Sequence, residues 1–339
     1  KPVTSDVAAV NKATTLLQDY LESQGVSCIV EDLDGRKILY ASTLPGKEQD
    51  FLLNAHLDVV PATDDMFIPR VEGNRLYGRG AFDDLSNAVC IARLLCKFNG
   101  KASVSAIFST DEEVGGDTTK VMMERGYSCR KMAIVLDGPG KQLAIAQKGI
   151  LIMKLIAKSK GGHASEPWNF DNPIEKLLNA YKRLRDQWQQ PSADNQWQNT
   201  MAPCIIEGGS AQNQIPDEAS MTLNFRITNE ADREKIIAQV KELCGLEIEL
   251  GRHCEPVVSD ENSPLLQKML KIMRKHFSED KVNFIRMNGA TDARHMVGLG
   301  VPIAITSVVG DGCHASVEWV DLNSIEEYLL ILEEVISSI

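Results

Sequence analysis

The sequence has no Cys-x-x-Cys pair, so it carries no paired-thiol signature of a structural zinc site or a dithiol redox centre. Its 8 cysteines, at 28, 90, 96, 129, 204, 244, 254 and 313, are spread over 339 residues. They need form no disulfide framework, most read as small buried apolar side chains, and cysteine-ligated zinc is not expected. A run of about 18 apolar residues is also missing, so no membrane-spanning helix is expected. The longest candidate, 297–309, is broken by Gly298, Gly300, Pro302, Thr306 and Ser307. No basic segment followed by an apolar one opens the sequence, and a cytoplasmic location is expected. Positive charge is in deficit, with 36 Lys and Arg against 47 Asp and Glu, net −11. That balance argues against nucleic acid or an anionic membrane surface as the partner. No fixed-period repeat or low-complexity tract is visible.

What is present is the composition of a globular protein, 43% hydrophobic and 24% charged, in a chain long enough for about two domains of about 150 residues each. Ser5 and Asp6 cap a first helix that runs to residue 24 and ends at Gly25. Short apolar runs at 51–55, 104–109, 132–136 and 302–308 read as buried strands. Helical spacing over 85–98 and amphipathic spacing over 324–336 alternate with them. This alternation predicts an α/β sheet with helices on both faces. The middle differs: strand 150–157, helix 173–188, a polar stretch 189–200, then strand, strand 220–227, helix 232–243 and strand 246–250. Two β-α-β-like halves predict a smaller α+β domain, 148–255, inserted into a larger one formed by 1–147 and 256–339.

Chemistry-bearing residues follow the predicted strands. His56 and Asp58 follow the first, Asp111-Glu112-Glu113 the second and Asp137 the third, while His314 lies beyond the fourth. Asp83 and Asp84 precede the 85–98 helix. In open α/β sheets the carboxyl ends of strands line the ligand crevice. So many carboxylates in a partly buried crevice carry a large desolvation cost, which divalent cations offset. Imidazole with carboxylate suits zinc, with cobalt or manganese as alternatives, and the number of groups points to two ions sharing a carboxylate.

The motifs HLDVVP (56–61), GRGAFDD (78–84), TDEEVGG (110–116), LDGPG (136–140), GGHAS (161–165), NQIPDEASMTLNFR (213–226), NGATDAR (288–294) and GCHASVEWV (312–320) stand in one order along nearly the whole chain. They resemble the co-catalytic zinc metallopeptidase and deacylase family that includes acetylornithine deacetylase, succinyl-diaminopimelate desuccinylase, bacterial glutamate carboxypeptidase and the aminoacylases. The resemblance implies a zinc-peptidase-like mixed sheet flanked by helices, with an inserted ferredoxin-like lid and dimerisation domain. It implies Asp83 as the bridging carboxylate, His56 and Asp137 at one ion, Glu113 and His314 at the other, and Glu112 as general base. Asp58 would hold the second nitrogen of His56, and the Asp83–Asp84 peptide would be cis. His163 would stabilise the oxyanion, reaching across a homodimer, and Asn213, Arg226 and Arg294 would bind substrate, the arginines gripping a carboxylate. The sequence departs from the family at Leu85-Ser86-Asn87, where a lysine followed by glycines is usual.

The reading is thus a dizinc amidohydrolase acting on small N-acyl amino acids or short peptides with a free carboxylate. A di- or tripeptidase or a carboxypeptidase of the same family is the alternative. A catalytically silent relative is a third reading, from which the presence of Glu112 discriminates.

Overall fold

The computed structural model describes residues 1–277 and 281–338, which divide into two compact units. The larger comprises Lys1–Ala146, Val257–Met287 and Thr291–Ile339, the smaller Gln147–Pro256 and Asn288–Ala290.

At the centre of the larger unit four parallel strands, Val104–Ser109, Glu48–His56, Ser128–Gly140 and Ile303–Ser307, lie side by side in that order. Antiparallel strands extend both flanks: Arg36–Ser42 and Ser27–Leu33 on one, Leu143–Gln147 on the other. The mixed sheet is buried on both faces, which is why its central strands read as unbroken apolar runs. Leu53, Ala55, Phe108, Ile134 and Leu136 face one core, shared with helices Leu85–Phe98, Pro264–Phe277 and Leu322–Ser338. Leu52, Ile107, Ala133, Val135 and Ile305 face the other, with Met122 and Met296. Each fully buried leucine contributes about 1.5–3 kcal/mol of transfer free energy, so the two-sided burial is what makes this sheet a stiff platform. Helix Pro264–Phe277, unassigned by the sequence reading, buries Leu266, Met269, Leu270, Met273 and Phe277, a spacing that is helical.

The third strand differs from its expected end. It continues past 136 to Gly140, held by pairing of Gly140 with Ser307, so Asp137 projects from within the strand rather than from the loop after it.

In the smaller unit, strands Gly149–Lys158, Thr200–Gly208, Glu218–Ile227 and Glu247–Cys254 alternate with helices Pro173–Gln187 and Arg233–Cys244 in the order β-α-β-β-α-β. The sheet runs Thr200–Gly208, Glu218–Ile227, Gly149–Lys158, Glu247–Cys254, all antiparallel, a ferredoxin-like arrangement. Leu151, Met153, Leu155, Leu223 and Phe225 pack on Leu177, Leu184 and Val240 of the helices. Asn172 caps the first helix by accepting from Ile174 N, and Pro173 sits at its first turn where a missing N–H costs nothing. Strand Thr200–Gly208 is a sheet edge whose residues 202–208 are exposed. No helix among the described residues is long and apolar enough to cross a membrane.

Candidate metal centre

The site forms at the carboxyl edge of the parallel strands. His56 is the last residue of its strand, paired in register with Ser109. Its Nδ1 lies 2.8 Å from the carbonyl oxygen of Asp58, which only accepts, so Nδ1 carries the hydrogen. Nε2 is then left facing Asp83 Oδ1 at 2.9 Å. In a neutral imidazole that geometry opposes a nitrogen lone pair to a carboxylate oxygen, and a proton or a metal cation between them resolves it. Burial works against a charged ring here, yet the contacts with Asp58 and Asp83 push the His56 pKa well above its ordinary value. Asp137 completes a group in which single ligand atoms of His56, Asp83 and Asp137 lie within 4.8 Å of one another.

Asp58 meets the second nitrogen of His56 through its backbone carbonyl at 2.8 Å, with carboxylate Oδ1 3.5 Å from the same Nδ1. The buried carboxylate is committed elsewhere. It accepts from Thr4 Oγ1 at 2.8 Å and from Glu112 N and Glu113 N at 3.2 and 3.4 Å, holding the turn that carries both glutamates.

The other oxygen of Asp83 faces a second group. His314 Nε2 lies 3.4 Å from Asp83 Oδ2 and 2.8 Å from Glu113 Oε2. Cys313 Sγ donates to the same Asp83 Oδ2 at 2.6 Å. Asp83 thus presents one oxygen to each imidazole. Burial raises the cost of its charge, but hydrogen bonds from His56 and Cys313 bring its pKa down to about 2. The sequence reading missed Cys313; its place next to His314 was the available signal. Cys204 and Cys313 are exposed, unlike the buried side chains expected of most cysteines.

Two loops must be held together for this to work. Glu318, 1% exposed, spans them: Oε1 accepts from Phe82 N and Asp83 N, both at 2.9 Å, and Oε2 accepts from Arg79 Nη1 at 2.6 Å and Gly80 N at 3.0 Å. Arg79 Nη2 in turn donates to Ala315 O at 2.7 Å, beside His314. The 312–315 turn closes by Ala315 N donating to Gly312 O at 2.9 Å, with φ +86° at Gly312. A Cβ at Gly312 would lie 1.9 Å from Val317 O, so only glycine fits. The Asp83–Asp84 peptide is cis. Asp84 accepts from His56 N at 2.9 Å and from Asn87 Nδ2 at 2.6 Å. Asn87 also donates to Ser307 Oγ and accepts from Val308 N, so the departure at 85–87 installs a buried amide that ties this turn to the fourth parallel strand. Glu318→Gln keeps the shape but turns an amide NH₂ toward backbone donors and removes the partner of buried Arg79. It should cost about 3–5 kcal/mol, the range for breaking a buried ion pair, and weaken metal retention. Chemical denaturation and metal analysis check it; an unchanged midpoint would mean that the two loops are held otherwise.

Like charges accumulate around the candidate base. Burial, then the charges of Asp137 and Asp292, push the Glu112 pKa well above the ordinary carboxylate range, against His56 and Arg294. Burial and Asp83 raise Glu113 as well, and burial followed by Asp83 pushes Asp137 up to about 7. This is the electrostatics of a donor set that fits divalent cations, because positive charge among these oxygens offsets both their mutual repulsion and the cost of burying them ionised. Arg294, buried, places Nη1 3.2 Å from Glu112 Oε1 and Nη2 3.7 Å from Asp292 Oδ1. In this arrangement its guanidinium lies on the candidate base, so gripping a substrate carboxylate would require it to exchange that partner.

His163, Asn213 and Arg226 belong to the smaller unit. His163 pairs with Gln214 in a two-stranded ladder, and Asn213 O accepts from Ala164 N at 2.9 Å, so these two lie together. Ser165 N donates to His163 Nδ1 at 3.2 Å, and the Ser165 hydroxyl lies 2.6 Å from the same atom. Nδ1 therefore accepts, and Nε2 carries the hydrogen of this exposed ring. Arg226 stands on strand Glu218–Ile227, paired with Ile150 and Thr200. Burial, and then the charge of Arg226, lower the pKa of Lys148 in the same unit.

A mixed α/β sheet with imidazoles and carboxylates gathered at its carboxyl edge offers a donor set for divalent ions, the arrangement of a metal-dependent enzyme. The particular family is given by sequence: the profile of peptidase family M20/M25/M40 matches residues 52–338, and the chain belongs to that family. Succinyl-diaminopimelate desuccinylase from Wolbachia pipientis subsp. Culex pipiens is 26% identical over 353 residues, covering 94% of this chain and 86% of its own. Among solved structures, an M20 family metallo-carboxypeptidase from Sulfolobus solfataricus superposes with a TM-score of 0.78 at 17% identity, covering 98% of this chain and 95% of that one. A dinuclear metal-binding peptidase of the M20 family from Bacillus subtilis gives 0.70 at 14% identity, covering 97% and 93%.

Proposed function

We propose that this metallohydrolase cleaves an amide bond in small N-acyl amino acids or short peptides that carry a free carboxylate, using two divalent ions, most suitably zinc. The observation that carries the reading is the division of Asp83 between two groups, Oδ1 toward His56 and Oδ2 toward His314. His56, Asp83 and Asp137 would hold one ion, and Asp83, Glu113 and His314 the other. When bound, such a pair supplies a Lewis acid for the scissile carbonyl and a water acidic enough to attack near neutrality. Glu112 would take a proton from the attacking water and deliver it to the departing amine nitrogen, so that the products would be an amine and a carboxylate. Asp58 positions Glu112 and Glu113 through their backbone N–H groups and His56 through its own carbonyl. His163, with its hydrogen on Nε2, is suited to donate to the carbonyl oxygen as charge develops there. Asn213, Arg226 and Arg294 bind the substrate, the arginines gripping its carboxylate.

The test is a panel of N-acetyl and N-succinyl amino acids, dipeptides and tripeptides, offered to zinc- or cobalt-loaded protein with released amine as the readout. Preference for acylated amino acids supports a deacylase. Turnover confined to peptides would give a peptidase, and no turnover with metal bound would give a silent relative.

Proton linkage supplies a second check. Asp137 holds a proton below about pH 7, and an incoming ion must displace it. Apparent metal affinity should therefore fall as pH falls, by about tenfold per pH unit for each proton displaced. The rise in melting temperature on adding zinc should be large at about pH 7.5 and small at about pH 5.5. A rise independent of pH would remove Asp137 from the ligand set.

We also propose a homodimer joined through the smaller unit, with His163 serving the partner's site. Its support is the exposed edge strand Thr200–Gly208, with Ile205 and Ile206 at 55% and 58% exposure, an open template for strand pairing. Mixing Glu112→Ala with His163→Ala protein under subunit exchange should then restore activity. About half the dimers are mixed and one of their two sites is complete, so roughly a quarter of all sites should recover. No recovery despite demonstrated exchange would place His163 in its own chain's site or outside catalysis. Eight free cysteines fit a reducing compartment, the cytoplasm.

A further inference from the structure

Among the described residues, two groups of side chains bring metal-ligating atoms within 4.8 Å of one another, and the second consists of Asp83, His314 and Cys313. The sulfur is 2.6 Å from Asp83 Oδ2, the same oxygen that His314 Nε2 approaches at 3.4 Å. We propose that Cys313 is a thiolate ligand of the ion held by Asp83, Glu113 and His314, which makes that site a mixed sulfur, nitrogen and oxygen site selective for zinc or cobalt over manganese or magnesium. The inference rests on the two-metal reading above and goes beyond it in the donor atom and the selectivity.

Three observations favour ligation over a bland role. Core packing does not account for Cys313, which is exposed, whereas Cys90, Cys129 and Cys244 are buried. The other exposed thiol, Cys204, donates to the Ala202 carbonyl at 3.6 Å and, among the described residues, belongs to neither group of metal-ligating side chains. Cys313 and His314 occupy the two central positions of the turn closed by Ala315 N on Gly312 O, and His314 holds φ +59° there. A non-glycine residue is uncommon in that region, and here the conformation brings both side chains to one carboxylate oxygen. The proton balance is simple: the S–H that donates to Asp83 Oδ2 is released to solvent as the sulfur takes the ion, and nothing is oxidised. Thiolate favours zinc and cobalt, while manganese and magnesium favour oxygen.

Full-length protein, stripped by chelator and kept reduced with a phosphine, is titrated with Co²⁺ without oxygen while absorbance and bound cobalt are recorded. A sulfur-to-cobalt charge-transfer band in the near ultraviolet should grow to saturation in the wild type and in Cys204→Ser. It should be lost in Cys313→Ser, which still takes up cobalt. Wild-type protein that binds two cobalt ions per chain without the band overturns the inference and leaves the two-metal reading intact. A band that persists in Cys313→Ser also overturns it, and failure to bind cobalt at all overturns both. X-ray absorption on zinc-loaded wild type needs no variant: a sulfur shell at about 2.3 Å supports ligation, and nitrogen and oxygen alone refute it.

Discussion

Glu112→Gln is expected to keep its metal and to lose about 10²–10⁴-fold in kcat/KM, the range for a missing general base. Glutamine preserves the length of the side chain, and its backbone N–H still donates to Asp58, so the turn carrying Glu113 stays in place. What disappears is the ability to take a proton. In the unsubstituted protein, burial and the charges of Asp137 and Asp292 hold the Glu112 carboxyl well above its ordinary range, with Arg294 at 3.2 Å opposing them. Glutamine has no charge to bury among these carboxylates, so metal-free Glu112→Gln should not lose stability in proportion to its activity. Steady-state kinetics beside metal analysis separate the two effects. Near-normal turnover would remove Glu112 from the mechanism and would point to another proton acceptor.

Asp83→Ala should be as damaging through a different route. One oxygen of Asp83 faces His56 and the other faces His314 and Cys313, so a single truncation removes a donor from both groups. Loss of even a residue one step removed from an ion lowers affinity by about 10–100-fold, and the loss here should be at least that at each position. Inductively coupled plasma analysis of gently purified protein should show content falling from near two ions per chain toward none. Activity should fall to background. Full two-ion occupancy in this variant would contradict the shared carboxylate and force the two groups to be read as independent sites. The alanine variant should remain folded, because Glu318 binds Asp83 through its backbone N–H and not through its side chain.

The strands that position the site were legible because burial on both faces demands unbroken apolar runs. The runs at 51–55 and 104–109 lie within or coincide with Glu48–His56 and Val104–Ser109. The helix at 85–98 was legible from its 3.6-residue spacing. Helix Pro264–Phe277 carries the same spacing and is legible by the same rule. The end of the strand bearing Asp137 was not legible. Its last residues, Asp-Gly-Pro-Gly, have turn composition, and only their pairing with the neighbouring strand extends the ladder to Gly140.

By itself the sequence determined the alternation of elements, the family and the chemical types available at each strand end, because periodicity and ordered motifs are local properties of a chain. Tertiary structure alone decided which atoms meet. It directed the Asp58 carboxylate to the N–H groups of Glu112 and Glu113 and the Asp58 carbonyl to His56. It set Arg294 on Glu112, made Glu318 the anchor of Asp83 from 235 residues away, and brought Cys313 to the Asp83 oxygen that His314 also faces. Hydrogen bonds and ion pairs of this kind act over a few ångströms between residues far apart in sequence, so their partners are chosen by the packing of the sheet and its loops.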